Sequence, residues 1–249
     1  MHRSLLCVAL FVFLSALLHA EEAKPAADPN AADGFIGPVL NVTKTAAPPA
    51  IDGALDDAAW KDAANSDKFA LKEGSRAQGK TKLYVTRDDT TLYIGVECFD
   101  SEAALKALKA DAHDHDTDGI WADDALEIFI DPSNKRDTYY QLIVNSKGVV
   151  WDAFHAVPGV PDKSWNPEIK IAAKVGKESW CCEVAVPFAA LTLSAKSEAD
   201  WGFNVTRHRP AAGELTYWSP VYNDSTHHPE KFGKLSGMPV VVWKSGEKK

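Results

Sequence analysis

Four cysteines in 249 residues, one of them inside an apolar N-terminal run, are too few to build a disulfide scaffold. Beyond that run only Cys98, Cys181 and Cys182 remain, an odd number. Cys98 and Cys182 fall on the apolar side of expected strands and read as core thiols, with a bridge from Cys98 to one of the pair left open. No basic cluster exists, and the formal net charge is −8, which argues against nucleic acid and anionic membrane surfaces as partners. Gly-x-Ser-x-Gly, His-Glu-x-x-His and glycine-rich phosphate loops are absent, so three common routes to hydrolytic or nucleotide chemistry have no motif here. Internal repeats are also missing. There is no alternation of strand and helix of the kind a doubly wound fold requires, which argues against a Rossmann-type enzyme.

Export is the first positive reading. Arg3 gives a basic start, Leu5 to Leu18 is almost wholly apolar, and Ala20 supplies a small residue ahead of Glu21-Glu22. At fourteen residues the run is too short to span a bilayer. Residues 1–20 are therefore expected to be a signal peptide cleaved near Ala20, giving a secreted or periplasmic protein with no membrane insertion afterwards. Residues 1–20 hold one Arg and no acid, so 26 basic face 35 acidic residues beyond them, a balance of −9. Residues 21–38, rich in Ala, Pro and Asp, read as a flexible spacer. The span 39–245 suits one large β domain, with 246–249 as a tail.

Within that span period-two alternation dominates. Residues 80–100 spell two strands joined by Asp88-Asp89-Thr90, with Leu92, Ile94, Val96 and Cys98 on one face and Tyr93, Gly95 and Glu97 on the other. Residues 125–132 turn Leu126, Ile128 and Ile130 inward and leave Glu127 and Phe129 outward. Residues 138–154 form a second hairpin, turned at Asn145-Ser146-Lys147-Gly148. Further strands are expected at 168–175, 179–187, 201–209 and 239–243, and short helices after Gly53 and after Ser101. The spacing predicts an all-β, two-sheet antiparallel sandwich, immunoglobulin-like or jelly-roll-like, with one or two short helices.

Six segments in order then carry a resemblance: APPAIDGALDDAAW, LYIGVECFDSE, IWADDALEIFIDP, WCCEVAVPF, WGFNVTRHR with TYWSP, and HPEKFGKL. Together, from about residue 40 to 237, they resemble the family 9 carbohydrate-binding modules, a family 9-like group related to DOMON-like sandwiches. The resemblance implies a non-catalytic module that binds mono-, oligo- or polysaccharide, supports carbohydrate catabolism and works beside glycoside hydrolases. In such modules two tryptophans clasp a sugar ring whose C–H faces stack on aromatics while its hydroxyls need paired donors and acceptors.

Carried over by position, Trp121 is the first stacking tryptophan and Glu127 a hydroxyl-binding carboxylate. Gln141, beside Tyr139 on the next strand, shares that surface, and Asn223 is a polar ligand in the late loop. Two positions depart from the family. The second tryptophan is replaced by Thr226-His227-His228, with His227 a poorer platform, and an arginine is replaced by Ile143. Two readings therefore stay open: a sugar-binding module, or a family 9-like structural or interaction domain of an envelope or polysaccharide-processing system without its own sugar site.

The resemblance also implies structural calcium, with Asp100 and Asp124 as its ligands beside the acidic run 113–118; no other cofactor is required. A solvated acidic loop is the plainer account of that run. His113 and His115 give two zinc ligands without a third. Asp124 and Glu127 as a glycosidase pair, and Met238 with His208 as haem ligands, are weaker readings.

Overall fold

The computed structural model describes residues 37–191 and 199–240. The expected signal peptide, most of the spacer and the tail lie outside these residues, as do 241–243 of the strand expected at 239–243. Pro239 and Val240 are not in a strand.

The strands, in chain order, are β1 (Val39–Asn41), β2 (Thr43–Lys44), β3 (Ala64–Ser66), β4 (Thr81–Arg87), β5 (Thr91–Phe99), β6 (Ala125–Asp131) and β7 (Tyr139–Asn145). They continue as β8 (Val150–Val157), β9 (Val160–Asp162), β10 (Lys170–Val175), β11 (Ser179–Pro187), β12 (Asp200–Arg209), β13 (Glu214–Tyr217) and β14 (Gly233–Ser236). Two short helices, α1 (Ala58–Lys61) and α2 (Glu102–Lys106), stand where the sequence placed helical turns. Ser101 caps α2 by accepting the Ala104 N–H.

One sheet runs β1-β14-β12-β6-β7-β8-β9, with β13 on β12; the other runs β10-β11-β5-β4-β2, with β3 on β4. Both sheets are mixed. Most pairs are antiparallel as expected, but β1 runs parallel to β14 and β2 parallel to β4. The two- and three-residue N-terminal strands thus fill sheet edges that would otherwise present unpaired backbone.

The alternation read from the sequence places the core between the sheets. Leu92, Ile94, Val96 and Cys98 meet Leu126, Ile128 and Ile130, and Trp180 and Trp201 join them fully buried. The three cysteines are free, and burial raises the Cys98 thiol to about 12, so it is an inert apolar filler.

One polar residue crosses this core. Arg207 on β12, completely buried, donates from Nη1 to the Lys80 and Phe99 carbonyls of the facing sheet and from Nη2 to Asp100.

The outer face of the smaller sheet is covered at its centre. Tyr93 packs there with Trp60 of α1. A Cβ on Gly95 would lie 2.5 Å from Leu55 and 3.2 Å from the Trp60 ring, so only glycine lets the IDG segment settle on this face. Glu183 fixes the segment by accepting the Trp60 indole N–H at 2.7 Å and the Gly53 and Asp52 N–H groups at 2.7 and 2.9 Å.

Candidate functional site

With its outer face so covered, the smaller sheet leaves the large sheet's outer face as the place for a ligand. Alternation projects Glu127 from β6, Gln141 and Ile143 from β7, Trp151 and His155 from β8, and His208 from β12. These residues line one cleft of about 420 Å³ with Trp121, Gly159 and the 224–227 loop, a size within the ~300–1,000 Å³ of small-molecule sites. A second hollow of similar volume, beside Trp165 and Glu168, has no comparable convergence of polar groups.

Trp121 is held on a rigid support. It sits in a 3₁₀ turn, Ile120–Ala122, entered through Gly119 at φ 93°, where a side chain is strained. Ile120 is fully buried on one side of it. On the other, Asp123 accepts the Asp111 and Ala112 N–H groups and the Asn145 amide. The indole itself is 46% exposed. An apolar plane fixed at both ends and open to solvent is suited to stacking.

The floor is a polar chain. His155 Nε2 lies 2.9 Å from Gln141 Oε1, the Gln141 amide donates to Glu127 Oε2 at 3.4 Å, and His208 Nε2 lies 2.8 Å from Glu127 Oε1. Every donor points toward the carboxylate. Burial raises the Glu127 pKa, but the hydrogen bond and charge of His208, helped by His227 and Thr226, outweigh it and leave the group below its usual range. Glu127 is thus an anion at neutral pH in a nearly water-free setting. Burial lowers His155 to about 4, which keeps that ring neutral.

The remaining polar surface comes from Tyr139 and His227. The Gly159 N–H donates to the Tyr139 oxygen at 3.0 Å, and that oxygen lies 2.6 Å from His227 Nδ1. Burial lowers the His227 pKa, which favours the neutral ring, and its Nδ1 and the phenol oxygen share one hydrogen bond. Tyr139 also stacks on His155, centroids 4.6 Å apart. Trp151 is 4% exposed, and its indole N–H is buried without a partner.

The sequence profile of the carbohydrate family 9 binding domain-like family matches residues 51–236. The chain belongs to that family. Over 207 residues it is 26% identical to endo-1,4-beta-xylanase A of Thermotoga neapolitana, covering 79% of this chain and 18% of the xylanase. The chain therefore spans less than a fifth of that relative's length. Two solved family 9 modules from Caldicellulosiruptor kristjanssonii share the fold. The one in complex with glucose has a TM-score of 0.58 at 16% identity, covering 84% of this chain and all of that one. The one with cellotriose has a TM-score of 0.55 at 18% identity, covering 81% and 95%.

Of the sequence-derived residues of this family 9 domain, Trp121, Glu127, Gln141 and His227 line the cleft. Tyr139 lies behind it, holding His227. Asn223 is not a lining residue; its side chain accepts the Asp224 and Ser225 N–H groups and shapes the loop. Ile143 lines the cleft as an apolar residue. His155, His208 and Trp151 were not assigned to the site from the sequence. The hairpin register could have found two of them, since the turn at Asn145–Gly148 sets Tyr139 opposite His155 and Ile143 opposite Trp151.

Asp100 and Asp124 do not make a fitting calcium pair. Arg209 Nη2 lies 3.0 Å from Asp100 Oδ1, and Arg207 Nη2 and Arg209 Nε lie 3.1 and 3.0 Å from Oδ2. Burial raises the Asp100 pKa, but these guanidinium groups more than offset it. Asp124 is buried and accepts the Lys109 N–H. Two guanidinium groups already occupy the Asp100 oxygens, so this carboxylate is not free to hold a divalent cation. Asp124 is also absent from the cleft that Glu127 lines, so the two do not flank a common bond. Met238 is in the core between the sheets, remote in character from His208 at the cleft.

Proposed function

We propose that this family 9 domain is an exported, non-catalytic module that binds a sugar in the Trp121–Glu127 cleft. Its biological role would be to hold a carbohydrate-processing system on its substrate. The observation that carries this reading is a half-exposed indole on a fixed turn, opening onto a cleft whose floor is the buried anion Glu127. Stacking on Trp121 takes the apolar C–H face of a pyranose. Glu127 and the free hydrogen of the Gln141 amide take its hydroxyls, each hydrogen bond to the charged carboxylate contributing about 1.5–3 kcal/mol.

His227 offers a polar ring in the position left by the second tryptophan, and the Trp151 indole offers a donor. A single hydroxyl-rich ring satisfies these groups better than an apolar ligand does, because the cleft has one apolar plane and several polar ends. Glucose and cellotriose, the ligands of the solved family relatives, are the first sugars to try.

Titrating glucose and then cellotriose into the purified chain, followed by tryptophan fluorescence, is the direct test. A saturable change with at least one of them is expected. No response to these or to a wider panel of mono- and oligosaccharides would favour a structural domain without a sugar site.

A further inference from the structure

On the opposite face of β8 from the cleft, three side chains converge that the sugar reading does not use. His115 Nε2 lies 2.8 Å from Asp152 Oδ2, and His115 Nδ1 lies 3.4 Å from Asp116 Oδ2. One ligand atom from each residue fits within a 4.8 Å span. Asp116 is docked on the strand edge: its N–H donates to the Val150 carbonyl at 2.9 Å, and its Oδ1 accepts the Asp152 N–H at 3.2 Å.

Asp152 is the informative member. Its side chain is only 1% exposed, yet Oδ1 is buried with no hydrogen-bond partner. An imidazolium held between the two carboxylates would satisfy one oxygen of each and still leave that atom bare. A buried carboxylate oxygen without a donor is unfavourable unless a positive charge meets it, and this one belongs to a cluster that already offers an imidazole and a second carboxylate.

We propose that His115, Asp116 and Asp152 bind a divalent transition cation of the zinc class. One imidazole nitrogen with two carboxylates is the donor set such ions take, with water completing the shell on the exposed His115 side. Calcium, which takes oxygen ligands only, has no use for the imidazole. Small rotations of the exposed His115 and the part-exposed Asp116 bring the donors to the roughly 2.0–2.2 Å that zinc needs. The ion ties the 113–118 segment to β8.

The test needs no sugar and so stands apart from the proposed function. The full chain is stripped with chelator, and its melting temperature is followed as Zn²⁺ is added. A rise of about 5–10 °C at a hundredfold excess over Kd is expected. His115→Ala, at an exposed position, should abolish the rise, and Asp116→Ala should do the same if the first variant fails to fold. Cobalt(II) should give visible d–d absorption in the parent and not in either variant. No rise in the parent, the same rise in both variants, or an equal rise with Ca²⁺ overturns the assignment.

Discussion

His227 is stacked near Tyr139, their ring centroids 6.1 Å apart, and its Nδ1 lies 2.6 Å from the phenol oxygen. A ring that reached the cleft from an unsupported loop would be a poor platform. This one is oriented by a phenol that is itself held by the Gly159 N–H. His227 is thus presented to the cleft in a fixed orientation. His227→Ala should weaken sugar binding about two- to tenfold, the range of a lost stacking pair. Titration calorimetry checks it; an unchanged Kd would remove His227 from the site.

Glu127 is the polar centre of the cleft. Glu127→Gln keeps the shape but removes the charge, and the sugar Kd should rise about ten- to a hundredfold. Its readout is the same titration, with circular dichroism to show that the sheet is intact. Equal affinity in the variant would mean that hydroxyl recognition lies elsewhere.

The neutral His155 gives stability a pH dependence. Its folded pKa, about 4, lies below the ordinary 6.5, so between these values the unfolded chain binds more protons than the folded one. The contribution is complete above pH 6.5 and is lost as pH falls toward 4, about 3 kcal/mol in all. Urea unfolding at pH 4, 5, 6 and 7 should show this slope, and His155→Gln should flatten it. A slope unaffected by the substitution would contradict the burial argument.

Asp100 answers the charge of the completely buried Arg207. Asp100→Ala leaves that guanidinium with only neutral hydrogen-bond partners, the Lys80 and Phe99 carbonyls and the Thr81 hydroxyl, and should cost about 3–5 kcal/mol, lowering the melting temperature by roughly 6–20 °C. Adding Ca²⁺ to metal-free parent protein should leave its melting temperature unchanged. A calcium-dependent rise that Asp100→Ala removes would restore this carboxylate as a metal ligand.

Much of this architecture is legible in the amino-acid sequence. The alternation from Leu92 to Cys98 and from Leu126 to Ile130 specifies which face is buried, because a one-residue slip would expose every apolar side chain. The β11 boundaries, Ser179–Pro187, also match the expected segment. Legibility failed where long-range contacts decide. Period-two reading left Tyr93 on a solvated face; the IDG segment and Trp60, more than thirty residues away in sequence, cover it. The two parallel edge pairs were missed because strands of two or three residues carry no periodic signal. Arg207 lies on an inward position of β12 and is buried because its partner Asp100 lies across the sandwich, a contact that periodicity does not report. Likewise His115 had no visible third ligand, since Asp152 reaches it only through the fold.

Trp121 carries the proposed sugar site, and its replacement by alanine tests that site most directly. The side chain is half exposed on a turn fixed by Ile120 and Asp123, so Trp121→Ala should leave the melting temperature within about 1–2 °C of the parent. The same substitution should weaken binding of glucose or cellotriose about tenfold or more by calorimetry. A variant that binds these sugars as tightly as the parent would contradict the assignment of this cleft.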